Sequence, residues 1–265
     1  MNTSYLVFLD FETGSRNPAT TQPTQLAAII VDPSSLEPVE NAEFNSLMRP
    51  LEDEEAIAYG LDPIENDALD ISHLTREELK KAPPAKLVWQ QFSEWINWYN
   101  TKGGKWEAPI LCGYNIINFD GVIINRLAGG HRETSYDEKT IAELLRLAKD
   151  KNSAIEDIRK LAKKITKLKE PYGFGPWNKE RQRCSLFHTR DALDLMHLFW
   201  YHLYENSREY ESLSFDNARD YLGLTRTGAH NALTDCRQGV QVMARFMKYI
   251  RKHAQQANFK GSFKR

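Results

Sequence analysis

The sequence predicts a mixed α/β fold: one five-stranded sheet flanked by helices. Three observations predict it. Three short apolar segments, separated by turn residues, come first in the chain. Amphipathic helical patterns then alternate with two more short apolar runs, the order expected of a mixed sheet covered by helices. A chain of 265 residues, 41% hydrophobic and 11% aromatic, is long and apolar enough for one large core, which excludes a disordered or collagenous chain.

The elements follow in order. Ser4 to Leu9 reads as a strand buried on both faces. Gln25 to Val31, closed by Asp32-Pro33, and Ala42 to Met48, closed by Arg49-Pro50, read as its antiparallel successors. The acidic stretch from Glu52 to Glu78 reads as loop with short helical pieces. Pro84 to Asn100 places Val88, Phe92, Trp95, Ile96 and Tyr99 at helical spacing, so its tryptophans belong to the core. Pro109 to Tyr114 is the fourth strand, and Asn118 to Leu127 a helix ended by Gly129-Gly130. Residues 131–187 read as a basic insertion, with a charged helix around Ala154 to Leu168 and then the segment EPYGFGPWN. His188 to Asp191 is the fifth strand and Ala192 to Tyr204 a helix. Phe215 to Leu222 is a short helix. Asn231 to Lys252 is a long helix with a core stripe of Ala232, Cys236, Gly239, Met243, Phe246, Met247 and Ile250. Residues 1–252 thus form one domain carrying the insertion, and 253–265 a basic tail. There is no internal repeat.

Charge and cysteines narrow the class. The net charge of −1 excludes a global basic field. Its distribution is uneven: Lys139 to Arg183 holds thirteen bases and six acids, and Arg245 to Arg265 seven bases and no acid. These segments read either as surfaces that track phosphates or as solvated faces and a frayed end. Cys112, Cys184 and Cys236 are far apart and odd in number, which points to a reducing cytoplasmic compartment rather than a disulfide framework. No apolar run reaches the roughly 20 residues of a membrane span, and the N-terminus has no basic leader, so no membrane partner is expected.

The carboxylates carry the chemistry. Asp10 and Glu12 end the first strand two residues apart, on the same side of an extended chain. Either they share a hard divalent cation, which relieves their repulsion, or they sit in a solvated turn before Gly14 and Ser15. Asp120, in GYNIINFDGVIINR, opens a helix, where an acid is also favoured by the helix dipole. His230 and Asp235, in GAHNALTDC, are about 140° apart on a continuous helix. They converge only if His230 lies on the loop before it.

In this order, D-x-E, then FD, then H-x4-D resemble the three motifs of the DEDDh 3′–5′ exonucleases, which have an RNase H-like fold. The stretches DFETGS, TQPTQLAAI, GYNIINFDGVIINR, DALDLM, SLSFDNARDYLGL and AHNALTD are most similar to the nuclease domain of the bacterial exonuclease I group. The resemblance runs from about Tyr5 to Phe246 apart from the insertion. It implies that Asp10, Glu12, Asp120 and Asp235 bind two divalent cations, Mg²⁺ or Mn²⁺, and that His230 is the general base. It implies hydrolysis of single-stranded nucleic acid, DNA favoured over RNA, from the 3′ end to 5′-mononucleotides.

Among substrate groups, Thr13 matches the position that meets the terminal 3′-OH. Leu74, in SHLT, matches an apolar wedge against the last bases. Phe11 lies on the opposite side of the strand from the carboxylates, with the core as its default place. Asn115 and Arg126 support the site from behind, and Asp194 reads as a helix cap rather than a ligand. Lys160, Lys163, Lys164 and Lys167 form a lysine row that either follows phosphates or faces solvent. The exonuclease I group continues into further domains that help enclose the strand, so lower processivity is expected here. Three other functions stay open: an exoribonuclease, a proofreading exonuclease, and a non-catalytic nucleic-acid-binding module. The complete set of five catalytic groups argues against the last.

Overall fold

The computed structural model describes residues 4–100, 107–130, 146, 172–188, 191–203, 212–225 and 230–257. Strands β1 (Leu6–Thr13), β2 (Pro23–Val31) and β3 (Pro38–Leu47) form an antiparallel meander. On the other side of β1 lie β4 (Ile110–Gly113) and, after a small hairpin of β5 (Trp177–Asn178) and β6 (Arg183–Cys184), β7 (Ala192–Asp194). Both β4 and β7 run parallel to β1, so the five-stranded sheet has the order β3-β2-β1-β4-β7. This is the predicted mixed sheet, and its topology is RNase H-like.

Three short helices, α1 (Asp53–Ala58), α2 (Asn66–Ser72) and α3 (Arg76–Lys81), occupy the acidic stretch. Helix α4 (Ala85–Asn97) and α5 (Asp120–Leu127) cover one face of the sheet. There Val7, Leu9 and Phe11 pack with Trp89, Phe92, Ile96, Ile123 and Leu127. Helices α6 (Leu195–Leu203), α7 (Phe215–Tyr221) and α8 (Ala232–Gln256) cover the other face, on Leu6, Phe8, Ala27 and Ile29. The alternation of side chains along β1 therefore feeds two cores. Burying each large side chain in them contributes roughly 1.5–3 kcal/mol.

Several boundaries differ from the sequence expectation, β3 among them, which starts at Pro38 rather than Ala42, and three of the differences matter for the site. Strand β1 continues past Leu9 to Thr13, because Asp10 and Glu12 keep their ladder positions opposite Ala27 and Gln25. The loss of apolar character marks a change in what one face meets, not the end of the strand. The fifth strand is Ala192–Asp194, not 188–191, and its helix starts at Leu195. Pairing of Ala192, Leu193 and Asp194 with Leu111, Cys112 and Gly113 claims three residues that read as a helix start. Finally, residues 172–187, read as part of the insertion, are packed on the body. Tyr172, Phe174 and Trp177 lie against the α4–α5 core, the Trp89 indole donates to Gly175 O at 2.5 Å, and Cys184 N donates to Asn125 Oδ1 at 2.9 Å. The charged helix around 154–168, with Lys160, Lys163, Lys164 and Lys167, lies outside the described residues.

The three cysteines are buried free thiols. Among the described residues, no helix is long and apolar enough to cross a membrane.

Candidate active site

Two elements bring the first carboxylates together. Asp10 and Glu12 share the face of β1 that carries Phe8, and this face looks toward α8. In α8, Asp235 lies one turn before Gly239, and Gly239 sits directly on the Phe8 ring. Four helical residues rise about 6 Å, and two strand residues about 6.6 Å. Helix and strand run in opposite directions here, so the Gly239–Phe8 contact places Asp235 over the pair on β1. A carboxylate oxygen from each of Asp10, Glu12 and Asp235 lies within 4.8 Å of the others. One ion with bonds of about 2.1–2.5 Å to oxygen can bridge such a group after small adjustments.

The start of α8 is held by hydrogen bonds. Asn231 caps it, its side chain accepting from Thr234 N at 3.3 Å. Gln25, opposite Glu12 on β2, accepts from Ala232 N at 3.3 Å. His230 stands just outside the helix with φ +66°, a left-handed backbone that turns it back over the first turn. Its backbone N–H donates to Asp235 Oδ2 at 2.9 Å, and its imidazole is exposed beside the cluster. The loop position required for His230 and Asp235 to converge is thus the one observed.

Asp120 opens α5 and is buried. Its Oδ1 accepts from Phe11 N at 3.0 Å, on the residue between Asp10 and Glu12. The loop before it is tied to the end of β7. Asp194 accepts from Asn115 N and Ile117 N, each at 3.1 Å, and from Met196 N at 3.0 Å. Asp194 therefore caps α6, as its sequence suggests, and also clamps the loop that delivers Asp120.

Four acids this close are costly to ionise together. Burial, then the charges of Asp120, Glu12 and Asp235, hold the Asp10 carboxyl well above the usual carboxylate range. Burial, then Asp235, pushes Glu12 up to about 7. Asp120 is raised, chiefly by burial, although the Phe11 N–H opposes the shift. Asp235 is also raised by burial, against opposing bonds from Arg219 and His230. All-oxygen donors whose mutual repulsion raises their proton affinity suit a hard divalent cation, which would replace the protons.

Arg219 is a neighbour that sequence reasoning missed. It lies on α7, is 2% exposed, and its Nη1 donates to Asp235 Oδ1 at 3.2 Å. In DNARDYL it reads as a surface charge on a short polar helix, and no pattern marks it as buried.

The remaining predicted groups divide. Thr13 ends β1 beside Glu12 and borders a pocket that Ser15, Arg16, Ile71 and Phe119 also line. Its hydroxyl donates to Ser15 O at 3.1 Å. Leu74 packs, partly buried, on the small cluster of Ile64, Leu69 and Leu79, and does not line this pocket, where Ile71 and Phe119 supply apolar surface. Phe11 takes the core place that was its default: its side chain is buried against α4 and α5, with little surface left for substrate. Arg126 is buried and donates to Thr21 O, so it braces the loop after β1 rather than meeting substrate. Asn115, at φ +59°, shapes the loop before Asp120. Ile71 could have been found only by placing α2, a helix too short to show a clear periodicity.

Residues 7–113 match the RNase_T exonuclease family. No curated protein sequence matches the chain. Among solved structures, the chain is similar to cell-death related nuclease 4, CRN-4, at 14% identity and a TM-score of 0.55, over 93% of this chain and 64% of that one. It is similar to E. coli exonuclease I in complex with a dA16 oligonucleotide at 18% identity and a TM-score of 0.56, over 93% of this chain and 41% of that one. Exonuclease I from Methylocaldum szegediense follows at 16% identity and a TM-score of 0.51, with the same coverage. The chain thus spans less than two thirds of the length of each. The match to the exonuclease family model covers β1, which carries Asp10 and Glu12, and the chain shares the RNase H-like fold of these nucleases.

Proposed function

We propose that this protein is a divalent-metal-dependent 3′–5′ exonuclease acting on single-stranded DNA and releasing 5′-mononucleotides. The observation that carries the reading is the meeting of Asp10, Glu12 and Asp235 within 4.8 Å, with Asp120 bonded to the backbone between the first two. The solved exonuclease I complexes with DNA oligonucleotides support the substrate class.

Asp10, Glu12, Asp120 and Asp235 would hold two Mg²⁺ or Mn²⁺ ions. When bound, these supply Lewis acidity and offset the charge that develops on the phosphate. His230 takes the proton of the attacking water on a ring nitrogen, a task that suits an imidazole near neutral pH. The water oxygen bonds to the terminal phosphorus, the P–O3′ bond to the penultimate nucleotide breaks, and that 3′-oxygen leaves with a proton. Thr13 orients the terminal sugar, and Ile71 and Phe119 offer apolar surface to the terminal base.

A time course on labelled single-stranded DNA, duplex DNA and RNA, with and without Mg²⁺ or Mn²⁺, tests this. Stepwise shortening of the DNA single strand from its 3′ end, only with metal, is expected. Faster cleavage of RNA would make the protein an exoribonuclease, and binding without cleavage a non-catalytic module.

A further inference from the structure

Arg219 is the one buried guanidinium that touches the carboxylate centre among the described residues. Its plane lies over the Phe215 ring, 4.4 Å from the centroid. Its Nη2 donates to Asp216 Oδ1, and its Nη1 to Gln238 Oε1 and, at 3.2 Å, to Asp235 Oδ1. The other Asp235 oxygen accepts the His230 N–H. Asp235 is therefore gripped at both oxygens, from α7 on one side and from the loop of the general base on the other. A guanidinium stays protonated at any pH the protein meets. The centre consequently carries a fixed positive charge of its own.

We propose that Arg219 is a built-in counter-ion of the carboxylate centre: it positions Asp235 and, sharing that carboxylate with incoming metal, sets metal affinity below what the four acids alone would give. The inference rests on the metal-dependent reading above. Its physical basis is a cycle. Without metal, Arg219 relieves part of the repulsion among Asp10, Glu12, Asp120 and Asp235. With metal, that relief is largely redundant, and the two positive charges oppose one another. Removing the guanidinium should then destabilise the metal-free protein more than the loaded one, and linkage requires a corresponding gain in metal affinity. A purely structural arginine would lower stability equally in both states and leave affinity unchanged.

The test is Mn²⁺ calorimetry and melting with and without Mn²⁺, on the full chain and on Arg219→Met, Arg219→Lys and Asp216→Asn. Arg219→Met is expected to bind Mn²⁺ about 10-fold more tightly and to show a larger Mn²⁺-induced rise in Tm, while turnover falls because Asp235 and His230 lose their anchor. Arg219→Lys keeps the charge but not the fork, so Mn²⁺ affinity stays near that of the unaltered protein while turnover still falls. Asp216→Asn frees Arg219 of its other anion and should weaken Mn²⁺ binding, a change of opposite sign that needs no loss of the buried side chain. Unchanged or weaker binding in Arg219→Met, or tighter binding in Asp216→Asn, overturns the counter-ion role even if the unaltered protein binds Mn²⁺ well. If the unaltered protein binds no Mn²⁺, the metal-dependent reading fails first, and the counter-ion role with it.

Discussion

Gly239 of α8 rests on the ring of Phe8 of β1 so closely that a Cβ at 239 would run into the ring. The contact lets the helix approach the sheet where Asp235 must reach Asp10 and Glu12. Two effects oppose each other in Gly239→Ala. Helix propensity favours alanine by about 1 kcal/mol, whereas overpacking a dense core costs about 1–3 kcal/mol. The ring is held in a core, so overpacking should win. Urea unfolding should show a net loss of about 1 kcal/mol, and Mn²⁺ calorimetry a several-fold weaker site. Adding Phe8→Leu should recover much of both, and a Gly239→Ala protein with unchanged Mn²⁺ affinity would remove the contact from the account of the site.

The raised carboxyls make a pH prediction for the metal-free protein. Glu12 titrates near 4.5 when unfolded and at about 7 when folded. The folded state therefore holds more protons between those values, and stability must fall as pH rises through that window and level off above it. Asp10 acts in the same direction. Melting in chelator should drop by several degrees from pH 5 to pH 8, and saturating Mn²⁺ should flatten the dependence. A metal-free Tm that rises over this range would contradict the crowding of these acids.

Replacing one of the acids should separate stability from activity. Asp10→Asn removes a charge that its surroundings oppose, so the metal-free protein should melt higher at pH 8. Metal-induced stabilisation should vanish, and hydrolysis should fall by about 10³-fold or more. Near-normal turnover would exclude Asp10 from the centre.

His230 should tolerate glycine in folding but not in catalysis. Its left-handed backbone suits glycine, and its bond to Asp235 uses the backbone N–H, which glycine retains. His230→Gly should therefore keep stability within about 1 kcal/mol and keep Mn²⁺ affinity, while losing about 10²–10⁴-fold in rate. Loss of Mn²⁺ binding in calorimetry would assign the imidazole to the metal instead.

Asp194→Ala should act at a distance. It deprives three backbone N–H groups of a charged acceptor, each worth up to about 1.5–3 kcal/mol. Because two of them lie in the loop that delivers Asp120, the variant should lose rate as well as stability. Asp194→Asn, which keeps one acceptor oxygen, should fall between. Full activity in Asp194→Ala would uncouple the clamp from Asp120.

Most of the centre was legible because its residues fall at turning points of the chain. Asp10 and Glu12 follow an apolar run, Asp120 starts a helix after a strand, and Asp235 stands one turn into the last helix. Order along the chain and local period are enough to find such positions. Arg219 and Ile71 were not legible, because what they touch depends on how short helices dock, and a helix of seven residues shows little period. Which way Leu74 and Phe11 turn was undecidable for a related reason. Neighbours of a site in sequence turn away from it when the backbone alternates or a helix turns, and only packing shows which way. The register of β7 was missed because a three-residue parallel strand carries almost no pattern of its own.

Asp10 and Asp235 stand 225 residues apart, one on the first strand and the other on the last helix. During synthesis the sheet and the α4–α5 core can begin to assemble while the C-terminal helix is still inside the ribosome. Until α8 emerges and seats Gly239 on Phe8, the acids of β1 have no partner across from them and the base has no anchor. The candidate centre therefore cannot assemble before α8 has left the ribosome, however early the sheet that carries Asp10 and Glu12 has formed.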